Sequence, residues 1–250
     1  MDNKELAQQI RISSLKMCHN AKASHIGSCL SCADILAVLY NEVLKQDDKL
    51  IVSKGHCAAA VYSALSLTGH KVTAEMLDDY CQDGAKLSGH VTYGVDGVEF
   101  STGSLGHGLP VACGMALANR SQKVFCLMGD GETNEGSVWE SARFASEYKL
   151  SNLVALIDNN ELQSFSQCGD DLGAKFSSFG WRIYKLDGHN IDMLSKILNI
   201  VRDLDTDKPK CVICKTVKGK GVSFYESRLD SHYRYPNDKE LKLALEGLSA

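Results

Sequence analysis

Gly129-Asp130-Gly131, followed by Asn159-Asn160 such that Asp130 and Asn160 are thirty positions apart, is the part of this chain best equipped for chemistry. A carboxylate and an amide oxygen are hard donors of the kind Mg²⁺ or Ca²⁺ takes. Gly129 and Gly131 let the backbone come close to a phosphate and take positive φ without a Cβ clash. The pattern predicts a metal–diphosphate clamp, with Asp130 and Asn160 on the cation and the glycines beside the anion. A second glycine-rich stretch, Gly103-Ser-Leu-Gly106-His107-Gly108, precedes an Ala/Gly-rich segment. A glycine loop opening a helix is a natural anion or cofactor cradle. It lacks the Lys-Ser/Thr of a P-loop and the spacing of G-x-G-x-x-G, so by itself it is equally a turn that lets a helix pack tightly.

Histidines form the third constellation. His25, His56, His90, His107, His189 and His232 fall in loop-like or element-edge contexts, several of them after Gly or Ser. Imidazoles at such positions supply hydrogen bonds and protons near neutral pH, which suits polyol substrates such as sugars. His19 and His70 fit surface or helix positions. Glu135 complements a helix N-terminus, and its place in Gly-Asp-Gly-x-x-x-Glu-Gly favours a functional role as well.

The elements around these residues explain how they would be positioned. The apolar runs Val124–Met128 and Leu153–Ile157 end just before Asp130 and Asn160, and the amphipathic segment Glu135–Lys149 lies between them. That is a right-handed βαβ unit with both polar groups at the carboxyl ends of parallel strands, where open α/β sheets bind ligands. Helices are expected over Leu6–Lys22, Cys57–Leu67, Thr73–Tyr80, Leu109–Arg120, Ile191–Leu204 and Asp238–Leu248, and strands over Leu50–Val52, Arg182–Leu186 and Cys211–Val217. Ser31-Cys-Ala-Asp34 has the form of a capping box, which would open a helix from Cys32 to Leu44. Leu87–Thr102 reads as a long loop. The alternation predicts an α/β fold with a parallel sheet covered by helices on both faces. Only three prolines and no Gly/Ser-rich run divide the 250 residues, so one domain is expected over 1–250.

A net charge of −4 excludes nucleic-acid or membrane binding driven by electrostatics. The first residues lack the apolar core of a signal peptide, and the longest apolar stretches are too short to span a bilayer, which points to a soluble cytoplasmic protein. Ten cysteines in such a chain do not imply a disulfide scaffold. Cys29/Cys32 and Cys211/Cys214 have C-x-x-C spacing, which could be written as a zinc site. Against that, residues three apart on a strand face opposite sides, and Cys29 and Cys32 read as small buried residues.

Nearly end to end, the sequence resembles the N-terminal, diphosphate-binding half of transketolase in the form encoded as a separate subunit. The resemblance is carried by Ala23-Ser-His25-Ile-Gly27, Ser53-Lys-Gly-His56, Leu87-Ser-Gly-His90, Gly97 to Gly106, the clamp, Asp187-Gly-His189 and Lys218-Gly-Lys-Gly221-Val-Ser-Phe224. It implies a thiamine diphosphate-binding fold of the diphosphate-domain (PP) type. It implies Mg²⁺ or Ca²⁺ on Asp130, Asn160 and the Leu162 carbonyl. His56, Gly129, Gly131 and His189 would serve the diphosphate, and Gly103 and Leu105 the aminopyrimidine. His25, His90 and His232 would handle substrate hydroxyls and proton transfer, and Glu135 would reach toward a catalytic acid on a partner chain. That partner, a separate C-terminal subunit with the pyrimidine-binding domain, is expected in an α₂β₂ assembly acting on sugars or sugar phosphates. The 2-oxo acid dehydrogenase α chain, deoxyxylulose phosphate synthase and a non-catalytic Mg²⁺–diphosphate module are the alternatives. Departures from the usual pattern are His107, Glu161 after the Asn pair, and Tyr233 after His232, where a small residue is usual; the last implies an altered acceptor pocket.

Overall fold

In the computed structural model, which describes residues 1–163 and 166–249, five parallel strands form one sheet. They are β1 (Lys49–Val52), β2 (Val124–Gly129), β3 (Leu153–Asn159), β4 (Arg182–Asp187) and β5 (Lys210–Lys215), in spatial order β1-β2-β3-β5-β4. The helices are α1 (Asn3–Ala21), α2 (Ile26–Ser31), α3 (Ala33–Val38), α4 (Ala58–Leu67), α5 (Ala74–Asp78), α6 (Gly108–Ala118), α7 (Gly136–Glu147), α8 (Leu172–Ser178), α9 (Ile191–Asp203) and α10 (Asp238–Ser249). Among the described residues, no helix is long and apolar enough to cross a membrane.

Strand side chains alternate between two cores, because successive residues of a strand point to opposite faces. Phe125, Leu127, Val154, Leu156, Val212 and Cys214 pack with α1 to α4 and α9. Cys126, Met128, Ala155, Ile157, Cys211 and Ile213 pack with α6, α7 and α8. Strands covered on both faces are continuous apolar runs, which is why β2, β3 and β5 are legible in the sequence. Cys211 and Cys214 fall in different cores, as strand geometry requires.

Two local expectations change. Ser31 does not cap a helix: it is the last residue of α2, and its hydroxyl donates to Asp158 at 2.6 Å, 127 residues away. Asp34 likewise turns to Arg11 and His189 rather than to the helix start. The expected Cys32–Leu44 helix is instead α2, α3 and a π-turn over Leu39–Val43, beginning six residues earlier at Ile26. Long-range polar partners override the local capping pattern there. The short helix α8 has no counterpart among the expected elements; it is capped by the Asp171 side chain, which accepts from the Ala174 N–H at 3.2 Å.

The Leu87–Thr102 stretch has no strand or helix, yet it is tied down. Thr102 Oγ1 donates to the Val52 carbonyl at 2.6 Å, Val91 N–H to the Gly55 carbonyl at 3.2 Å, and Tyr62 OH to the His90 carbonyl at 2.9 Å. These bonds fix His90 over the end of β1.

Candidate functional site

The register of β2 on β3 pairs Gly129 with Asp158. Asp130 and Asn160 therefore leave the sheet at neighbouring strand tips, and both line one cleft with Gly129, Gly131 and Leu162. Asp130 is only 2% exposed. Its Oδ1 accepts from the Gly131 N–H at 2.7 Å, and Oδ2 accepts from the Glu161 N–H. Asn160 Oδ1 accepts from the Leu162 N–H at 3.1 Å, and the Leu162 carbonyl accepts from Lys218 Nζ at 3.3 Å. Burial, with the nearby Asp158 charge adding to it, pushes the Asp130 carboxyl up to about 6.

That environment fits a cation. A buried carboxylate with raised proton affinity and no ion-pair partner among the described residues gains from a nearby dication. Gly129 lines the cleft, and a Cβ added there would meet nothing within 4 Å, so glycine leaves open space beside the donors. At Gly131 a Cβ would come within 2.7 Å of Gln163 Cβ. Carboxylate, amide and carbonyl oxygens together make a donor set for a hard divalent ion.

Beneath the clamp lies a buried ion pair. Lys54 Nζ bonds the Asp158 carboxylate, with side chains 1% and 0% exposed. Asp158 also accepts from Thr216 Oγ1 and Ser31 Oγ. Burial works against the Lys54 ammonium, and the Asp158 charge overrides it and holds the lysine above its ordinary value. Asp158 is held below its ordinary value by Lys54 in spite of burial. Removing one member of such a pair typically costs about 3–5 kcal/mol, because the other charge is left buried.

Four histidines from four segments meet beside this floor. His25 lies 5.5 Å from His56, 5.7 Å from His90 and 4.9 Å from His232, centroid to centroid, and His56 lies 5.6 Å from His232. His25 takes positive φ (76°) at the start of α2, and its N–H donates to the His232 carbonyl at 2.9 Å. That bond and Gly219 N–H to the Gly27 carbonyl at 3.0 Å hold the loop after β5 against α2. Burial lowers all four imidazoles. His25 falls to about 4, with His90 and Lys218 contributing, and His232 to about 3, with Lys218 contributing. His56 is held well below its ordinary value and His90 below it. The cluster is therefore neutral near pH 7, able to donate and accept hydrogen bonds.

Other sequence-nominated residues are placed less centrally. Leu105 lines the cleft, and Gly103 packs on the His90 ring, with 3.3 Å from an added Cβ to His90 Cδ2. Glu135 is the exposed N-cap residue of α7, outside the cleft lining, with its Cβ against Gly106. His107 precedes α6 and also stands outside the lining. His189 is not brought to the cleft. Its Nδ1 bonds Asp34 at 2.7 Å and its Nε2 accepts from the Val217 N–H at 2.8 Å, so both ring nitrogens are engaged in a buried cluster with Arg11.

Sequence reasoning gives no role to Ser28, Lys54, Glu132 or Lys218, all of which line the cleft. Lys218 Nζ stands 3.2 Å from His232 Nδ1, and burial followed by the Lys54 charge lowers it to about 8. Lys54 and Lys218 lie inside motifs already singled out, Ser53-Lys-Gly-His56 and Lys218-Gly-Lys-Gly221. Their burial is the missing signal, since lysines are almost never fully buried unless paired.

Fold and site together define an α/β protein with a polar cleft at the carboxyl edge of a parallel sheet, beside a histidine cluster. Residues 2–246 match the family model described as transketolase, thiamine diphosphate binding domain. The chain belongs to that transketolase family. It is 36% identical over 255 residues to an apulose-4-phosphate transketolase subunit of Phocaeicola vulgatus, covering 94% of this chain and 89% of that one. The corresponding apulose-4-phosphate transketolase subunit from Actinobacillus succinogenes is 39% identical over 243 residues, covering 90% and 87%. A 6-deoxy-6-sulfo-D-fructose transketolase subunit of a Clostridium species is 34% identical, covering 93% and 90%. The crystal structure of Campylobacter jejuni transketolase superposes with a TM-score of 0.92 at 29% identity, covering 99% of this chain. The chain spans only 42% of that protein's length.

Proposed function

We infer that this chain is the cofactor-binding half of a two-chain transketolase, moving a two-carbon ketol unit from a ketose to an aldose. The observation that carries the reading is one cleft lined by Asp130 and Asn160 at the strand tips and by His56 and His232, with His25 packed on both rings and His90 on His25. Asp130, Asn160 and the Leu162 carbonyl would hold Mg²⁺ or Ca²⁺, and Gly129, Gly131 and His56 would border the diphosphate. Thiamine diphosphate, when bound, supplies the thiazolium carbon on which the carbon chemistry depends. His25, His90 and His232 would bind the hydroxyls of the sugar and pass protons, which their neutral state near pH 7 permits. Glu135, exposed at the start of α7, would face the partner's catalytic acid.

A separate partner chain, proposed to carry the pyrimidine-binding domain in an α₂β₂ assembly, accords with relatives that this chain covers almost completely and that are themselves named as transketolase subunits. Those relatives' substrates carry phosphate or sulfonate groups by name, so an anionic sugar is the substrate class proposed. Ten cysteines suit a reducing compartment such as the cytoplasm. The test is reconstitution: this chain, its candidate partner and the two together are assayed for ketol transfer with thiamine diphosphate and Mg²⁺. Activity is expected only from the mixture, and turnover by this chain alone would refute the two-chain reading.

A further inference from the structure

We propose that Glu132 is the positioning residue of this site, its buried carboxylate pinning the Gly103–Gly108 loop to the tips of β1 and β2 and so fixing the surface offered to the ring end of the cofactor. The ring-facing part rests on the function proposed above; the pinning does not.

Glu132 is 3% exposed and takes part in no ion pair among the described residues. Three donors from three segments converge on it. Ser53 Oγ, just past β1, and the Gly106 N–H at 2.9 Å both donate to Oε1. The Gly129 N–H, at the tip of β2, donates to Oε2 at 3.3 Å. Ser53 Oγ accepts in turn from the Gly108 N–H at 3.0 Å, which reaches the first residue of α6. One carboxylate and one hydroxyl thus link Ser53-Lys-Gly-His56, the glycine loop and the clamp.

The residue type follows from those donors. Buried N–H groups need acceptors, and an ionised carboxylate is the acceptor-only side chain with lone pairs on two ends. Glutamine would aim its NH₂ at one of the donors. The loop has little freedom to find other partners. Gly106 holds positive φ (81°), and a Cβ there would come within 2.6 Å of Glu135 Cβ. Leu105, between the pinned Gly106 and Gly103 on the His90 ring, is consequently held at the cleft wall. Glu135 is the more conspicuous acid in the motif, yet it makes no capping bond through its side chain. Three residues earlier, Glu132 holds the loop.

The test compares the full-length chain with Glu132→Gln by amide hydrogen exchange in NMR and by titration with thiamine diphosphate or inorganic pyrophosphate, each with Mg²⁺. Exchange at Gly106 and Gly129 should speed up about tenfold or more, with the centre of β2 and β3 unchanged. Affinity for thiamine diphosphate should fall about tenfold, and affinity for pyrophosphate, which lacks the rings, should fall distinctly less. Unchanged exchange at Gly106, or equal losses for both ligands, overturns the proposal. Should Glu132→Gln not fold, Ser53→Ala removes the hydroxyl link while keeping the carboxylate. Faster exchange confined to Gly108 and its neighbours supports the proposal, and unaltered exchange there overturns it. A wild-type chain that binds both ligands equally would count against the functional reading, while the exchange result still decides the role of Glu132.

Discussion

Replacing Asp130 with Asn should flatten the loss of stability of the cation-free chain between about pH 4 and 7.5 while removing its response to Mg²⁺. Burial and the neighbouring Asp158 raise the Asp130 carboxyl from 3.8 to about 6. The folded state therefore holds this proton more tightly than the unfolded chain does. The resulting stability is fully present below about 3.8, declines as pH rises, and is gone above about 6. One pKa unit corresponds to about 1.4 kcal/mol, so the whole contribution is about 3 kcal/mol, and about 2 kcal/mol of it is lost between roughly pH 4 and 7.5. An asparagine at this position cannot ionise and avoids that loss. It does place an NH₂ against one of the backbone N–H groups that Asp130 now accepts from, Gly131 or Glu161, at a cost of about 1–3 kcal/mol that does not vary with pH. The informative quantity is accordingly the difference between variant and wild type as a function of pH, since other titrating groups cancel in it. Urea unfolding in EDTA at several pH values from about 4 to 8 measures it, and the variant should gain on wild type by about 2 kcal/mol across that range. Mg²⁺ at about a hundredfold over its dissociation constant should then stabilise wild type by about 2.7 kcal/mol and the variant hardly at all. A difference that stays flat with pH, or equal Mg²⁺ responses, would refute the reasoning.

Two further outcomes are expected. Lys210 opens β5 with its side chain buried, and its Nζ has no hydrogen-bond partner among the described residues; burial lowers it to about 8. Lys210→Met should stabilise the chain at pH 7 by about 1–2 kcal/mol, a rise in Tm of several degrees, with the advantage shrinking as pH rises through about 8 toward 10.5; a lower Tm at pH 7 would contradict it. In ¹H–¹⁵N spectra of imidazole nitrogens, His25 and His232 should stay neutral down to about pH 5, with the His25 inflexion at about 4. Because their folded values lie below 6.5, the stability they contribute is present above 6.5 and lost as pH falls toward about 4; an inflexion near 6.5 for either would show that the cluster is open to water.

The parts of this structure legible in the sequence are those set by local pattern. Strands β2, β3 and β5 lie between two layers of helices, so their apolar runs are unbroken, and the clamp residues follow those runs directly. Edge strand β4, with its mostly exposed or half-buried residues, is marked only by a short run and its flanking helix α9. What stays hidden depends on contacts between distant segments. Ser31 and Asp34 look like a cap and are instead partners of Asp158, Arg11 and His189. Glu132 and Glu135 differ little in sequence context, and only the convergence of Ser53, Gly106 and Gly129 sets the first apart. The strand order, with β5 inserted between β3 and β4, is likewise a choice among crossovers that hydrophobic patterning does not encode.

On the proposed reading, Asp130 and Asn160 would hold a divalent ion that offsets the charge of the cofactor diphosphate. Isothermal titration of the chain with thiamine diphosphate, once with Mg²⁺ and once in EDTA, tests this most directly. Binding should be seen with Mg²⁺ and be weaker by at least about a hundredfold without it, since two like charges roughly 4 Å apart repel by about 4 kcal/mol at an effective dielectric of about 20. Equal affinity in the two titrations would contradict the account.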